Sequence, residues 1–231
     1  MHEIEISIII PSYKEERNLK ELLPRLNVVM SRLGNRYETL VVDTVDKMDA
    51  TGEVCKKNKS MYINREPGNS YGDAVRTGIK CARGKYIIFM DADGSHSPEF
   101  IEELVRYKNE ADIIIASRYV KGGGTDNSKM LILMSLIVNI AYSKFLHLGC
   151  HDVSNSFKLY KADSLKNLKL SSDNFDIIEE ILIKLKKKNK LLKIKEIPYY
   201  FKKRLFGKTK RKLILFSFSY FFTLLKLKFM K

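Results

Sequence analysis

Short, almost wholly apolar runs recur along this chain, and a stretch of helical periodicity follows most of them. Residues 4–10 (IEISIII), 38–43 (ETLVVD), 85–90 (KYIIFM), 111–116 (ADIIIA) and 191–197 read as strands, with a short further strand at 61–63. Between the first two, Leu19, Leu22, Leu23, Leu26, Val29, Met30 and Leu33 keep helical spacing, interrupted by Pro24. A second helix is expected over about 70–83, stopping at Gly84. A third starts at Ser97-Pro98-Glu99, with Ser97 as N-cap and Pro98 at the first helical position, and runs to about residue 109. Residues 130–142 and 176–189 supply two more, and 121–127 (KGGGTDN) reads as a flexible loop. Strands alternating with helices predict an α/β fold: a mostly parallel central sheet with right-handed crossovers, its apolar strands covered by helices on both faces. With 231 residues, 45% of them apolar, the chain suits one such domain.

In open sheets of this kind ligands bind beyond the carboxyl ends of the strands. Four features fall there: Pro11-Ser12-Tyr13-Lys14-Glu15, Asp43, Asp91-Ala92-Asp93 and Ser117-Arg118-Tyr119. Asp91 and Asp93 are the sharpest. Two carboxylates two residues apart after a buried strand can share one hard cation, Mg²⁺ or Mn²⁺, with substrate phosphates. The bland alternative is a polar turn, since Asp-x-Asp-Gly is good turn chemistry. The glycine fingerprint of dinucleotide-binding folds and the P-loop are both missing, which disfavours oxidoreductases and P-loop nucleotidases. Cys150-His151-Asp152 lacks a second ligand pair at zinc spacing, His96 is as readily a loop residue as a site residue, and the lysines at 184–190 read as a solvated helix end.

Charge is distributed unevenly. The chain carries 42 bases and 27 acids, yet residues 184–231 hold 17 of the bases and a single acid, Glu196. A localised basic excess implies a polyanionic partner at that end. The run 213–225 (LILFSFSYFFTLL) is uncharged and flanked by bases. As a helix it would span roughly 20 Å against about 30 Å of hydrocarbon, so it reads as an amphipathic helix lying in an anionic membrane surface or as a core helix packed on the domain, the flanking bases favouring the first. Three scattered cysteines exclude a disulfide scaffold. The start, MHEIEISIII, places acids where a secretory leader has bases, so no signal peptide is expected.

From residue 5 to about 210 the chain resembles the inverting glycosyltransferase family 2, with the nucleotide-sugar-binding GT-A fold. The resemblance rests on SIIIPSYKEERNL, LVVD with DAT, GDAVRTGIKCARGKYIIFMDADGSHSPEFI, IIIASRYVKGGG and RLFGKTK. MDADGSHSPE, SRYVKGG and the R-x-x-G-K-T-K loop are most similar to the group that loads sugars, mannose or glucose, onto polyprenyl (dolichyl) phosphates. The resemblance implies a catalytic domain over 1–210 and a membrane-surface segment over 211–231. It implies that Pro11, Tyr13, Glu15, Asp43 and Gly72, with Asp91, Ala92 and Asp93, bind the nucleotide-sugar, and that Asp91 and Asp93 hold the metal. Ser117, Arg118, Ser135 and Arg204 are implied around the acceptor phosphate, Arg204 and Lys210 as a basic clamp, and Asp152, Ser154 and Phe157 near the sugar. The chain also departs from the pattern. Thr44 follows Asp43 where the family has a second acid, Asn155-Ser156-Phe157 replaces Ser-Gly-Phe, and Lys129, Leu131 and Ile132 stand where the family has a Trp and an Arg.

The expected chemistry is displacement at an anomeric carbon, with the metal and Arg204 or Lys210 stabilising the leaving diphosphate. An anionic phosphate acceptor needs no general base. A sugar-hydroxyl acceptor would need one, with Asp152 the candidate. The expected setting is peripheral, on the cytoplasmic face of a membrane, with a membrane protein as a further candidate partner. Two readings of other classes stand beside this one: a nucleic-acid-binding protein using the basic, aromatic-interleaved tail, which leaves the strand-end motifs unexplained, and a non-catalytic relative that recruits a partner to the membrane.

Overall fold

The computed structural model describes residues 3–34, 36–145 and 147–207. The 213–225 run, Lys210 and the segment 211–231 lie outside the described residues. β1 (Ile6–Pro11), β2 (Tyr37–Asp43), β3 (Met61–Asn64), β4 (Tyr86–Phe89), β5 (Ile113–Ser117), β7 (Lys158–Lys161) and β8 (Ile194–Pro198) form one seven-stranded sheet in the order β3-β2-β1-β4-β7-β5-β8. A two-stranded parallel sheet joins β6 (Gly124–Thr125) to β9 (Tyr200–Phe201). Pairing in the main sheet is parallel except around β7, which runs antiparallel to both β4 and β5.

The apolar strands are covered on both sides, as their composition requires. Ile6, Ile8 and Ile10 join one core cluster, with Ile88 and Ile114, beneath α1 (Glu16–Leu33), α2 (Thr51–Lys57) and α4 (Ile101–Arg106). Ile9 points the other way, with Phe89, Ile113 and Ile115, against α3 (Tyr71–Cys81), α6 (Ala162–Lys166) and α7 (Ile177–Lys188). This is the period of two expected of a strand whose both faces are dry. Each of the four β1 isoleucines is fully buried, worth about 1.5–3 kcal/mol apiece relative to exposure.

Several local expectations are corrected. Pro24 does not interrupt α1, which runs through it. Burial of Leu19, Leu22, Leu23, Leu26, Val29 and Met30 on one face outweighs the roughly 3 kcal/mol that an interior proline costs. The helix after Ser97 is short: a 3₁₀ turn (Pro98–Phe100) and then α4, which ends at Arg106. Ser97 stands at the N-cap position without capping, because its hydroxyl donates to the Glu99 carboxylate instead. The predicted loop at 121–127 contains β6, and β8 begins at Ile194 rather than at 191. The antiparallel β7 carries a lysine at each end and was not marked by the apolar pattern. α3 is closer to expectation. Its N-cap Ser70 accepts from the Asp73 N–H at 3.0 Å, while Asp73 accepts from the Ser70 N–H, a capping box.

The helix at 129–145, α5 (Lys129–Phe145), buries Asn139 and Tyr142 but leaves Met130, Leu133, Ile137 and Ile140 exposed. These recur at helical spacing, so they form one apolar stripe facing outward. Among the described residues no helix is long and apolar enough to cross a membrane.

Candidate active site

The carboxyl ends of β1, β2, β4 and β5 meet at one edge of the sheet. The start of β7 joins them there because that strand runs the other way. Pro11 ends β1, and the turn behind it brings Tyr13 to the surface and buries Glu15. The Glu15 carboxylate accepts from Arg204 Nη1 and Nη2 at 3.0 Å and from Asn18 Nδ2 at 2.5 Å. Asn18 also accepts the Phe206 N–H at 3.0 Å and donates to the Phe206 carbonyl, so the turn at 204–206 is clamped onto the head of α1.

Asp43 ends β2 and is buried, with Oδ2 accepting from the Tyr62 hydroxyl at 3.2 Å. Its other oxygen has no hydrogen-bond partner among the described residues. Burial, only partly offset by hydrogen bonds and by Arg65, pushes this carboxyl above its ordinary value. Arg65 is itself buried. It donates to the carbonyls of Asp43 at 3.0 Å, Ser70 at 3.1 Å and Asn69 at 3.2 Å, and also to that of Ser12. It ties the ends of β1 and β2 to the approach to α3. The sequence reading did not single it out.

Asp91 and Asp93 follow β4 and stay partly exposed, at 22% and 20% of their side chains. Asp91 Oδ1 accepts from the Ser156 hydroxyl at 2.9 Å, and its backbone N–H donates to His96 Nδ1 at 2.9 Å. Asp93 Oδ1 accepts from Ser95 N–H at 3.0 Å and Ser95 Oγ at 2.6 Å, while Oδ2 faces Arg204 Nε at 3.3 Å. Burial alone would raise the Asp93 carboxyl. The Ser95 hydrogen bonds and Arg204 outweigh it, so the group lies below its ordinary value and is ionised at neutral pH. Gly94 has φ +83°, and a Cβ there would meet Leu205 at 2.5 Å, so glycine lets the 203–207 turn close over these carboxylates. The Leu205 N–H donates to the Asp93 carbonyl at 2.9 Å.

The two aspartates fit a hard divalent cation. Among the described residues no cluster of three or more acidic, histidine or cysteine ligands exists. A cation at these two carboxylates would have its other positions open to phosphate oxygens and water, the usual arrangement for Mg²⁺.

On the far side of β4 the arrangement is sealed. Asp152 is fully buried and grips Arg118: Oδ2 accepts from Nε and from the backbone N–H at 2.8 Å, Oδ1 from Nη2 at 2.7 Å. Burial would raise the Asp152 carboxyl, but Arg118 more than offsets it and holds it below the ordinary value. Ser154 Oγ accepts from Arg118 Nη2 at 3.0 Å and from Asn139 Nδ2 at 3.2 Å, and Asn139 also donates to the Ser135 carbonyl at 2.8 Å. Ser117 is buried, with its hydroxyl donating to Glu196 at 2.8 Å. Glu196 also accepts the N–H groups of His151 and Asp152, which fixes the turn that presents Asp152.

The sequence profile described as Glycosyl transferase family 2 matches residues 7–169, a span that contains these aspartates, Arg118 and Asp152. The chain belongs to glycosyl transferase family 2. Two dolichol-phosphate mannosyltransferases are similar along most of its length. That of Pyrococcus furiosus is 36% identical over 219 residues, covering 90% of this chain and 60% of the relative. That of Saccharomyces cerevisiae is 29% identical over 220 residues, covering 90% of this chain and 81% of the relative. The chain thus spans about three fifths of the Pyrococcus protein. The glucosyl-3-phosphoglycerate synthase of Mycobacterium tuberculosis, solved with Mn²⁺, UDP-glucose and phosphoglyceric acid, has a TM-score of 0.75 at 17% identity, covering 97% of this chain and 80% of that one. That likeness is one of fold.

Within this glycosyl transferase family 2 fold, Pro11, Tyr13, Glu15, Asp43, Asp91, Ala92, Asp93 and Arg204 gather along one half of the edge, and Ser117, Arg118, Ser135 and Asp152 along the other. Gly72 follows two residues after Ser70, whose carbonyl accepts from Arg65. It lies in the first turn of α3, its N–H donates to the Asp173 carbonyl at 2.8 Å, and a Cβ would strike the Ser172 carbonyl at 2.1 Å. Close backbone packing therefore requires glycine at this position. His96 is fully buried, stacked on Phe157 at 4.6 Å, and belongs to the site's framework rather than to an open loop. Lys158 is fully buried as well, donating to the carbonyls of Val153 and Asn155.

Proposed function

We propose that this chain transfers a sugar from a nucleoside-diphosphate sugar to a polyprenyl phosphate at a membrane surface. The observation that carries this reading is a difference among its carboxylates. Asp91 and Asp93 remain partly exposed at the strand edge beside Arg204, whereas Asp152 has both oxygens bound and no face left to take a proton. A sugar-hydroxyl acceptor needs a base, and a phosphate monoester does not.

A cation held by Asp91 and Asp93, Mg²⁺ or Mn²⁺, would neutralise the donor's diphosphate and act as a Lewis acid. The rest falls to the chain's own side chains. Arg204, braced by Glu15 and aimed at Asp93, places a fixed positive charge where the leaving diphosphate gains negative charge. Asp43, with one buried oxygen unpartnered among the described residues, is available to the nucleoside. Arg118, fixed by Asp152 and tied through Ser154 and Asn139 to Ser135, is the cation we assign to the acceptor phosphate. The outward stripe of α5, with Lys129 and Lys144 in the same helix, supports contact with an anionic lipid surface. The names of the two mannosyltransferases support mannose as the first donor sugar to try.

The test is transfer by the full chain in detergent from labelled GDP- and UDP-sugars, with and without polyprenyl phosphate, in Mg²⁺, Mn²⁺ or EDTA. The expected outcome is metal-dependent label in the organic phase, reduced by about 10²–10³-fold in Asp93→Asn. Label appearing only on a glycan or glycolipid hydroxyl would overturn the acceptor assignment. Transfer that survives both EDTA and Asp93→Asn would overturn the donor site.

A further inference from the structure

We propose that Ser156 is a positioning residue for the Asp91 carboxylate, setting its orientation for a divalent cation at a place where the family pattern has glycine. The inference rests on the reading of Asp91 and Asp93 as the cation's ligands.

The segment 155–157 holds Asp91 at two points. The first is the backbone. The Asp91 N–H donates to His96 Nδ1 at 2.9 Å, and His96 Nε2 lies 3.1 Å from Asn155 Oδ1. An N–H partner on one ring nitrogen and a carbonyl oxygen on the other fix a single tautomer, with the proton on Nε2. The ring is fully buried and stacked on Phe157 at 12° between planes, so it cannot turn to release Asp91. Asn155 is anchored in turn, donating from Nδ2 to the Ala116 carbonyl at 2.6 Å. The second point is the carboxylate itself, where the Ser156 hydroxyl donates to Oδ1 at 2.9 Å from a nearly buried position.

Asp93 is oriented differently, by Ser95 of its own turn and by Arg204. With glycine at 156 the backbone hold on Asp91 would persist, but this hold on the carboxylate would be lost. Ser156 occupies one lone pair on Oδ1. A carboxylate offers about four acceptor positions over two oxygens, so Oδ2 and the rest of Oδ1 stay open to an ion. The hydroxyl thus fixes the side chain in advance without blocking it, which removes part of the ordering cost of binding.

The experiment is a Mn²⁺ titration of the full chain, followed by the EPR signal of free Mn²⁺, alone and with saturating UDP or GDP. It compares wild type, Asp91→Asn, Ser156→Ala, Ser156→Gly and Ser156→Thr. Urea midpoints are measured alongside to separate binding from folding. We expect Asp91→Asn to lose binding, Ser156→Ala and Ser156→Gly to weaken it by roughly threefold to tenfold, the value of one immobilised side chain, and Ser156→Thr, which keeps the hydroxyl, to restore it to within about twofold. Unchanged affinity in both Ser156→Ala and Ser156→Gly, with Asp91→Asn deficient, overturns the role of Ser156 and leaves the cation site standing. Binding that Asp91→Asn does not alter overturns the cation site, and this proposal with it.

Discussion

Arg118 and Arg204 both face an aspartate at the carboxyl edge of the sheet, yet the two pairs are built differently. Arg118 is 8% exposed and lays a two-pronged fork on a fully buried Asp152, with three hydrogen bonds of 2.7–2.8 Å. Arg204 is 23% exposed, meets Asp93 through one nitrogen at 3.3 Å, and shares itself with Glu15. The first is a closed pair, since removing either partner strands a charge away from water. The second is open on its Asp93 side, where solvent or an incoming anion can replace the contact at little cost, while the buried Glu15 holds the other side. The contrast teaches that an arginine beside an aspartate has no fixed meaning. Exposure and the number of shared hydrogen bonds decide whether the arginine is fixed in place by its partner or can exchange that partner for an incoming anion.

The sharpest way to break this contrast is to empty the closed pair. Asp152→Ala is expected to destabilise the chain by about 3–5 kcal/mol, because Arg118 would be left buried and uncompensated. A urea midpoint equal to wild type would show that the pair is not closed. The open pair should respond chiefly in catalysis. Arg204→Gln is expected to lower kcat/KM by about 10²-fold through loss of charge at the leaving group, and to destabilise less than Asp152→Ala, by about 1–3 kcal/mol, because the buried Glu15 loses this cation but keeps Asn18 as a donor. Transfer kinetics and denaturation of the same preparation check both halves.

The smallest effect probes how dry the closed side is. Burial pushes Lys158 down to about 8 from the ordinary 10.5, with Asp152 offsetting part of the cost. Between those two values the unfolded chain keeps a proton that the folded chain has released, so stability rises with pH through that window and is flat with respect to this group below it. Urea midpoints from about pH 7.5 to about 10.5 should climb in wild type, and Lys158→Met should lose that part of the climb. Identical slopes would place Lys158 in contact with water.

The open side of the site was far more legible in the sequence. The isoleucine and valine runs of β1, β2, β4 and β5 are apolar on both faces, and that pattern fits little other than buried parallel strands. Their ends therefore pointed to Glu15, Asp43, Asp91 and Asp93 before any coordinates. The closed side was written in residues whose type misleads. β7 reads Lys-Leu-Tyr-Lys, which has no apolar period, yet Lys158 is fully buried because two carbonyls and the field of Asp152 replace its water. Arg118 and Asp152 lie 34 residues apart, and their pairing comes from the reversed direction of β7, which no local signal states. His96 reads in the sequence equally as a loop or a site residue, because Asn155, 59 positions away, is what fixes its tautomer.

That reversed strand also bears on how such a chain can be altered. β5 leaves the sheet at the edge where β7 enters it, so everything between them, from Arg118 through α5 to the turn before Asp152, is an excursion that departs from and returns to one side. A segment of different length or composition can be spliced into that excursion without changing the order or direction of any strand in the main sheet. The half of the edge that carries Asp43, Asp91 and Asp93 would be inherited unchanged. In evolutionary terms the fold separates a fixed frame from an exchangeable cassette, in which Asn139 and Tyr142 hold α5 to the core while Met130, Leu133, Ile137 and Ile140 face outward and can vary with the fewest consequences for packing.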